Sequence, residues 1–215
     1  MAEALRLIGF KHSVYTWVVR LALHEMGMAA EYVEADPFAE PPDKVLSEHT
    51  PLRRVPVLQH CDFRLTETAA ILRYLDALSA RPSLQPSKPK ALAQMAQVIG
   101  LVDSDVYPVM IRQVFSAGFY APAVTGAVRD DSAVVTGIAR AGPVLSVLEQ
   151  VASDGRQLNG HVMSLADLHL APMMSYFVRV PEGNAMLASF PALSAWWGWM
   201  SAQDSLRMTD PLKNF

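Results

Sequence analysis

Ser79-Ala80-Arg81-Pro82-Ser83-Leu84-Gln85-Pro86-Ser87-Lys88-Pro89-Lys90 separates two parts of this chain that differ in character. It holds three prolines, three serines and no bulky apolar cluster, the composition of a linker between domains. Before it, the elements are short and alternate in type. Ala4–Ile8 reads as a strand. Ser13 to Gly27 reads as a helix: Ser13 suits the N-cap, Val14, Trp17, Val18, Leu21 and Ala22 repeat at helical spacing, and Gly27 suits the stop. Glu31–Ala35 alternates like a strand, and Asp43–His49 fits one short helix. Val55–Gln59 and Phe63–Leu65 read as strands joined around His60-Cys61-Asp62, and Thr66–Leu78 is helical. The order βαβαββα needs crossovers among the first three strands, so the sheet is mixed.

After the break, nothing reads as a strand. Ala91–Phe119 is a long helical stretch with Pro108 inside it, where a kink or break is expected. Ser132–Ala152 is another, interrupted at Pro143. Ser164–Val178 opens with Ser-Leu-Ala-Asp, a capping-box pattern with Asp167 in the acidic position. Pro191–Ala202 starts on a proline and carries Trp196, Trp197 and Trp199. The expected organisation is an α/β domain over 1–79, a linker over 80–90 and an all-α helical bundle over 91–215.

Composition bounds the function. Of 215 residues, 51% are hydrophobic and 18% charged, which excludes a disordered chain. A chain this size buries roughly 70% of the surface it exposes when unfolded. The net charge of −3 leaves neither part with the positive surplus of a nucleic-acid or anionic-membrane binder. One cysteine, Cys61, excludes an internal disulfide framework and a multi-cysteine zinc site. The six histidines lack metal-ligand spacing, so no metal is expected. The N-terminal MAEALRLIGFKHS lacks a leader pattern, and no run reaches the roughly 18–20 apolar residues of a membrane span. The expectation is a soluble, cytoplasmic protein. The low charge fraction fits either a deep monomeric core or apolar surface covered by a second copy.

Four segments carry a resemblance. They are Ser13–Glu25 (SVYTWVVRLALHE), Pro51–Leu58 (PLRRVPVL), Leu65–Leu75 (LTETAAILRYL) and Ser164–Asp167 (SLAD). In this order, along essentially the whole chain, they resemble the cytosolic glutathione transferases, and the first looks most like the serine-type classes (phi, theta, zeta and bacterial relatives). The resemblance implies a thioredoxin-like N-terminal domain, a helical C-terminal domain, glutathione as co-substrate, a homodimer, and a role in detoxification.

Only the thiolate of glutathione is a good nucleophile. A free thiol has a pKa of about 8.5, and lowering it by two units takes about 2.7 kcal/mol of preference for the anion. A Ser13 hydroxyl that donates to the sulfur would supply about 1.5–3 kcal/mol, and the helix N-terminus favours an anion too. Ser13 could instead simply cap the helix, its oxygen accepting from Tyr15 or Thr16. Phe10 stands where a tyrosine-type enzyme would need tyrosine. The resemblance further implies that Val55, before a cis Pro56, pairs with the cysteinyl backbone. Thr68 and Glu67 would take the γ-glutamyl carboxylate and amine; read without the resemblance, Thr66-Glu67-Thr68 is plain capping, with Thr66 as the cap. Arg54, with Lys44 as a further cation, would bind the glycyl carboxylate. Arg53 departs from the family's glycine and brings a side chain that avoids some of the dihedrals glycine allows. Asp103 or Asp105 would reach the γ-glutamyl amine across a dimer. An electrophile pocket would draw on His12, Tyr107, Ile111 and Phe115, though an apolar stripe is also what a core helix shows. Ser164 and Asp167 read as structural. A glutathione-dependent isomerase or dehalogenase, and a protein that binds glutathione or an apolar ligand without turnover, remain open alternatives.

Overall fold

In a computed structural model, which describes residues 4–215, the first part of the chain forms a four-stranded mixed sheet. β1 (Leu5–Gly9) is central, parallel to β2 (Ala30–Glu34) and antiparallel to β3 (Val57–His60). β4 (Phe63–Leu65) pairs antiparallel with β3, giving the order β2-β1-β3-β4. The parallel β1–β2 pair requires a crossover, and α1 (Val14–Glu25) supplies it.

Alternation along β1 sends its side chains into two layers. Ile8 joins a buried cluster with Ala35, Val57 and Leu46, the last from α2 (Lys44–His49). Gly9 faces the other way, onto α1. A Cβ there would lie 2.4 Å from Thr16 Cγ2 and 2.9 Å from Thr16 Oγ1, so only glycine lets strand and helix approach this closely. Ser13 is the N-cap of α1, its oxygen accepting from the Thr16 N–H at 3.3 Å. The helix ends at Gly27 (φ 65°), where Met28 N–H donates to Leu23 and Gly27 N–H to His24, closing the last turn. α3 (Thr68–Leu78) packs beside α1 and fully buries Ile71, Leu72 and Leu75, each contributing about 1.5–3 kcal/mol.

The second part is helical. α4 (Pro89–Leu101) continues directly into α5 (Val102–Thr125), which is wound as a π-helix. Of the kink or break expected at Pro108, the break does not occur. A π turn is wider and bonds to the fifth residue back, so the ring no longer strikes the carbonyl it would meet in an α-helix. α6 (Asp131–Asp154) also runs unbroken through Pro143. Pro143 and Ala139, whose carbonyl would lose its partner, both lie on the exposed face, where solvent can satisfy a backbone carbonyl. Taken whole, α6 is long and apolar enough to cross a membrane, although the sequence reading found no run of that length. Its inner face packs against α5 and α9 as a helix of the bundle.

α7 (Leu165–Phe177) is the core helix, with all but one residue buried. α8 (Pro181–Leu187) and α9 (Pro191–Ser201) start on prolines, and α10 (Asp204–Thr209) follows. α8 and α10 went unread in the sequence because one or two turns carry little periodicity.

The described chain divides into two compact units: residues 4–83 with 208–213, and residues 84–207 with 214–215. The change falls within the Pro/Ser-rich stretch, which is pinned rather than loose. Arg81 donates to the Glu25 carbonyl, and Ser83 Oγ to Asp76 Oδ2 at 2.7 Å. Residues 208–213 belong with the first unit, although the sequence reading put them in the helical domain. Trp17 Nε1–H, fully buried, donates to Thr209 Oγ1 at 2.9 Å.

Gly9→Ala should lower stability by about 2 kcal/mol, because Thr16 is fully buried and β-branched and cannot swing aside. Urea unfolding reads the loss, and a second change, Thr16→Ser, should restore part of it by removing Cγ2. No loss in Gly9→Ala would mean that α1 stands off the strand.

Candidate active site

Strand register gathers three of the expected segments. Ile8 lies opposite Val57, so the end of β1 that leads to Ser13 lies beside the start of β3 that follows Val55-Pro56. Leu58 lies opposite Leu65, so the end of β4 that leads to Glu67-Thr68 comes to the same end of the sheet. The Val55–Pro56 peptide is cis, and so is Glu40–Pro41.

Ser13 is half-buried. Its oxygen accepts from Thr16 N–H, which is the capping role. That bond uses a lone pair and leaves the hydroxyl proton to be given elsewhere. His12, also half-buried, sets its ring edge-on to Phe10 at 5.5 Å between centroids. Burial, and then the charge of Lys11, hold its imidazole below the ordinary value, which favours the neutral ring.

At the start of α3 the N-cap is Glu67, not Thr66 as expected. Glu67 has φ 64°, a left-handed conformation that redirects the chain into the helix. Its carbonyl accepts from Ala70 and Ile71, both at 3.0 Å, but no side chain caps the first turn. The Glu67 carboxylate instead accepts from Arg54 Nη2 at 2.9 Å, with both side chains well exposed. Arg54 therefore stands at the start of α3. Thr68 is buried.

Arg53 has φ 50°, so the position where the family has glycine does take a glycine-like conformation. Its guanidinium turns to the Ala39 carbonyl (3.4 Å) and to Glu40 (3.8 Å). Lys44 is exposed, at the start of α2.

The remaining candidates lie in the helical unit. The Asp103 carboxylate accepts from Nε2 of the fully buried His169 at 2.9 Å, and Asp105 from Ser104 Oγ at 2.5 Å. Tyr107 is half-buried. Ile111 and Phe115 are buried, Phe115 stacked on Tyr176 (4.0 Å between centroids) and Phe119 (5.7 Å). Ser164 and Asp167 form the capping box. Asp167 does more than cap: it accepts from Ser164 N–H (2.8 Å), Ser164 Oγ (2.6 Å) and Trp196 Nε1–H (2.8 Å), tying α7 to α9. Burial pushes its carboxyl up, against those donors, which pull it down. The His169 and Trp196 links were missed in the sequence, since no local spacing marks a contact between distant helices. Among the described residues, no group of three or more His, Cys, Asp or Glu is placed to hold a metal ion.

With this geometry in place, comparison with known proteins is specific. The family model for the glutathione S-transferase N-terminal domain matches residues 7–83, and that for the C-terminal domain matches 111–204. A glutathione S-transferase from Hyoscyamus muticus is 31% identical over 148 residues, 68% of each chain. Glutathione S-transferase F14 of Arabidopsis thaliana is 28% identical over 215 residues, 94% of this chain and 83% of the relative. The crystal structure of glutathione transferase F7 from Populus trichocarpa superimposes with a TM-score of 0.83 at 25% identity, over 99% of this chain and 100% of that one. The chain belongs to the glutathione S-transferase family, and so to a family of enzymes.

Arg53 and Asp167 can both be tested by substitution. Arg53→Gly and Arg53→Ala lose the same partners, but only glycine relieves the left-handed backbone. The Gly variant should be the more stable by about 1 kcal/mol in chemical denaturation; equal stability would mean that the loop is unstrained. Asp167→Ala strands the Ser164 and Trp196 donors in the core and should cost about 3 kcal/mol or more. The raised carboxyl also fixes a sign. The fold favours the protonated form, so the Asp167 contribution is largest in acid and declines as pH rises from about 4 through the raised value. The stability difference, wild type minus Asp167→Asn, should fall over that range; a rise would mean that the three donors outweigh burial.

Proposed function

We propose that this chain activates the glutathione thiol at Ser13 and delivers the thiolate to a small hydrophobic electrophile, as a serine-type member of its family. The observation that carries this reading is the Ser13 hydroxyl. It is half-buried at the start of α1, and its cap bond occupies the oxygen and spares the proton. Donation from that hydroxyl to sulfur favours the anion, and the first-turn N–H groups add to it. His12 is held toward its neutral form and so offers the sulfur little positive charge, which leaves the preference for the anion to Ser13 and the helix N-terminus. Val55, ahead of its cis proline, would pair with the cysteinyl backbone as a strand does. The γ-glutamyl carboxylate would take the uncapped first turn of α3 at Thr68, and Glu67 the amine. Lys44 offers a cation for the glycyl carboxylate.

In the reaction the thiol gives its proton to solvent on binding. The thiolate then forms the new carbon–sulfur bond as the leaving group departs with its electron pair or, in an addition, as the π bond of the electrophile breaks, its electron pair moves onto the activating group and a proton is taken from solvent. Tyr107, on the helical unit, is the half-buried candidate for the electrophile side. We further propose a cytoplasmic homodimer, which light scattering would test.

The decisive experiment follows thiolate ultraviolet absorbance of bound glutathione against pH. The wild-type thiol should titrate well below its free value of about 8.5. Ser13→Ala should raise it by about 1–2 units and lower kcat/KM roughly 10- to 100-fold at neutral pH. The same variant should lose about 0.5–2 kcal/mol of stability with the cap. Binding with an unshifted thiol would overturn catalysis and leave a ligand-holding protein.

A further inference from the structure

The two adjacent arginines ahead of β3 are turned to different places. Arg53 reaches the Ala39 carbonyl and Glu40, on the segment that leads into α2. Arg54 reaches across to the start of α3 and holds Glu67 Oε1 at 2.9 Å. Both members of this second pair are about two-thirds exposed, with side-chain exposures of 65% and 64%. Such surface pairs typically contribute little to folding. Glu67 also fails to do what an acidic residue at a helix start commonly does, since no side chain caps α3. Its backbone is left-handed and its carboxylate is directed to Arg54 instead.

We infer that Arg54 is a positioning residue for the γ-glutamyl end of glutathione, holding the Glu67 carboxylate where it meets the substrate's ammonium group, rather than the reader of the glycyl carboxylate. This rests on the reading of Glu67-Thr68 given above. A carboxylate has acceptor sites on two oxygens. Arg54 occupies Oε1, so Oε2 remains for an ammonium N–H. The γ-glutamyl head is a zwitterion, and the start of α3 answers both its charges: Glu67 takes the ammonium, and the uncapped N–H groups beside Thr68 take the carboxylate. Without Arg54, Glu67 would rotate freely and its charge would oppose the carboxylate bound next to it. The guanidinium removes both faults. The cations left for the glycyl end are Lys44 and Arg53, on and beside the segment that precedes α2.

Calorimetric titration of two ligands separates the two ends. Glutathione has both; γ-glutamylcysteine lacks the glycyl carboxylate. Arg54→Ala should weaken both ligands by the same factor, about tenfold. In a Glu67→Gln background the Arg54→Ala effect should largely vanish, because the arginine acts through that carboxylate. Arg54→Lys, which keeps charge without the fork, should recover only part of the affinity. Urea unfolding of each variant should be close to wild type, as befits an exposed pair. If the Arg54→Ala penalty appears with glutathione and disappears with γ-glutamylcysteine, Arg54 reads the glycyl end and the inference is wrong. An undiminished penalty in the Glu67→Gln background would also overturn it. Wild-type protein that binds neither ligand would overturn the functional reading itself, a result distinct from both.

Discussion

Strand β1 is the constraint on which the site depends. It is paired on both sides, parallel to β2 and antiparallel to β3, and both of its faces are buried. Slipping a strand by one residue would exchange its two faces, sending Ile8 toward α1 and Gly9 toward α2. Thr16 would then meet an isoleucine where it now tolerates no Cβ at all. The packing of α1 on β1 therefore locks the register, and the register locks the loops. Ser13, the Val55-Pro56 turn and Glu67-Thr68 come from three distant stretches of sequence. They share one end of the sheet only because β1, β3 and β4 pair as they do.

Local chemistry was legible wherever a side chain acts on its own neighbourhood. Ser13 caps the helix it precedes, Gly27 ends α1, and Ser164 and Asp167 form their box. These signals span three or four residues and need no knowledge of the fold. Prolines misled for a related reason. Pro108 and Pro143 each break an α-helix by a local rule, but a change of winding at one and an exposed helix face at the other lower the penalty. Both remedies depend on surroundings that a sequence window cannot see.

The candidate site was legible as residue types and less so as partners. The motif around Glu67 pointed to the right stretch, yet Thr66 looked the better cap, because nothing local announces a left-handed glutamate. Arg54 and Glu67 are thirteen residues apart with a hairpin between them, so their meeting is a product of the β3–β4 pairing. Asp103 and His169 lie sixty-six positions apart on different helices. On the helical side, Ile111 and Phe115 share the periodicity of both a core and a pocket wall, and burial shows them in the core.

The bond between the Trp17 indole and Thr209 has a consequence for how this protein is made. The first unit is not a contiguous stretch of chain, because residues 208–213 belong to it. Residues 84–207, nearly all of the second unit, are thus inserted in sequence between two pieces of the first. A ribosome that has passed residue 83 has made the sheet and its three helices but not yet the acceptor for the buried Trp17 indole, which lies 192 positions further along. Domains commonly fold in order from the N-terminus; here the first unit gains its Thr209 contact only after the inserted helices have been translated.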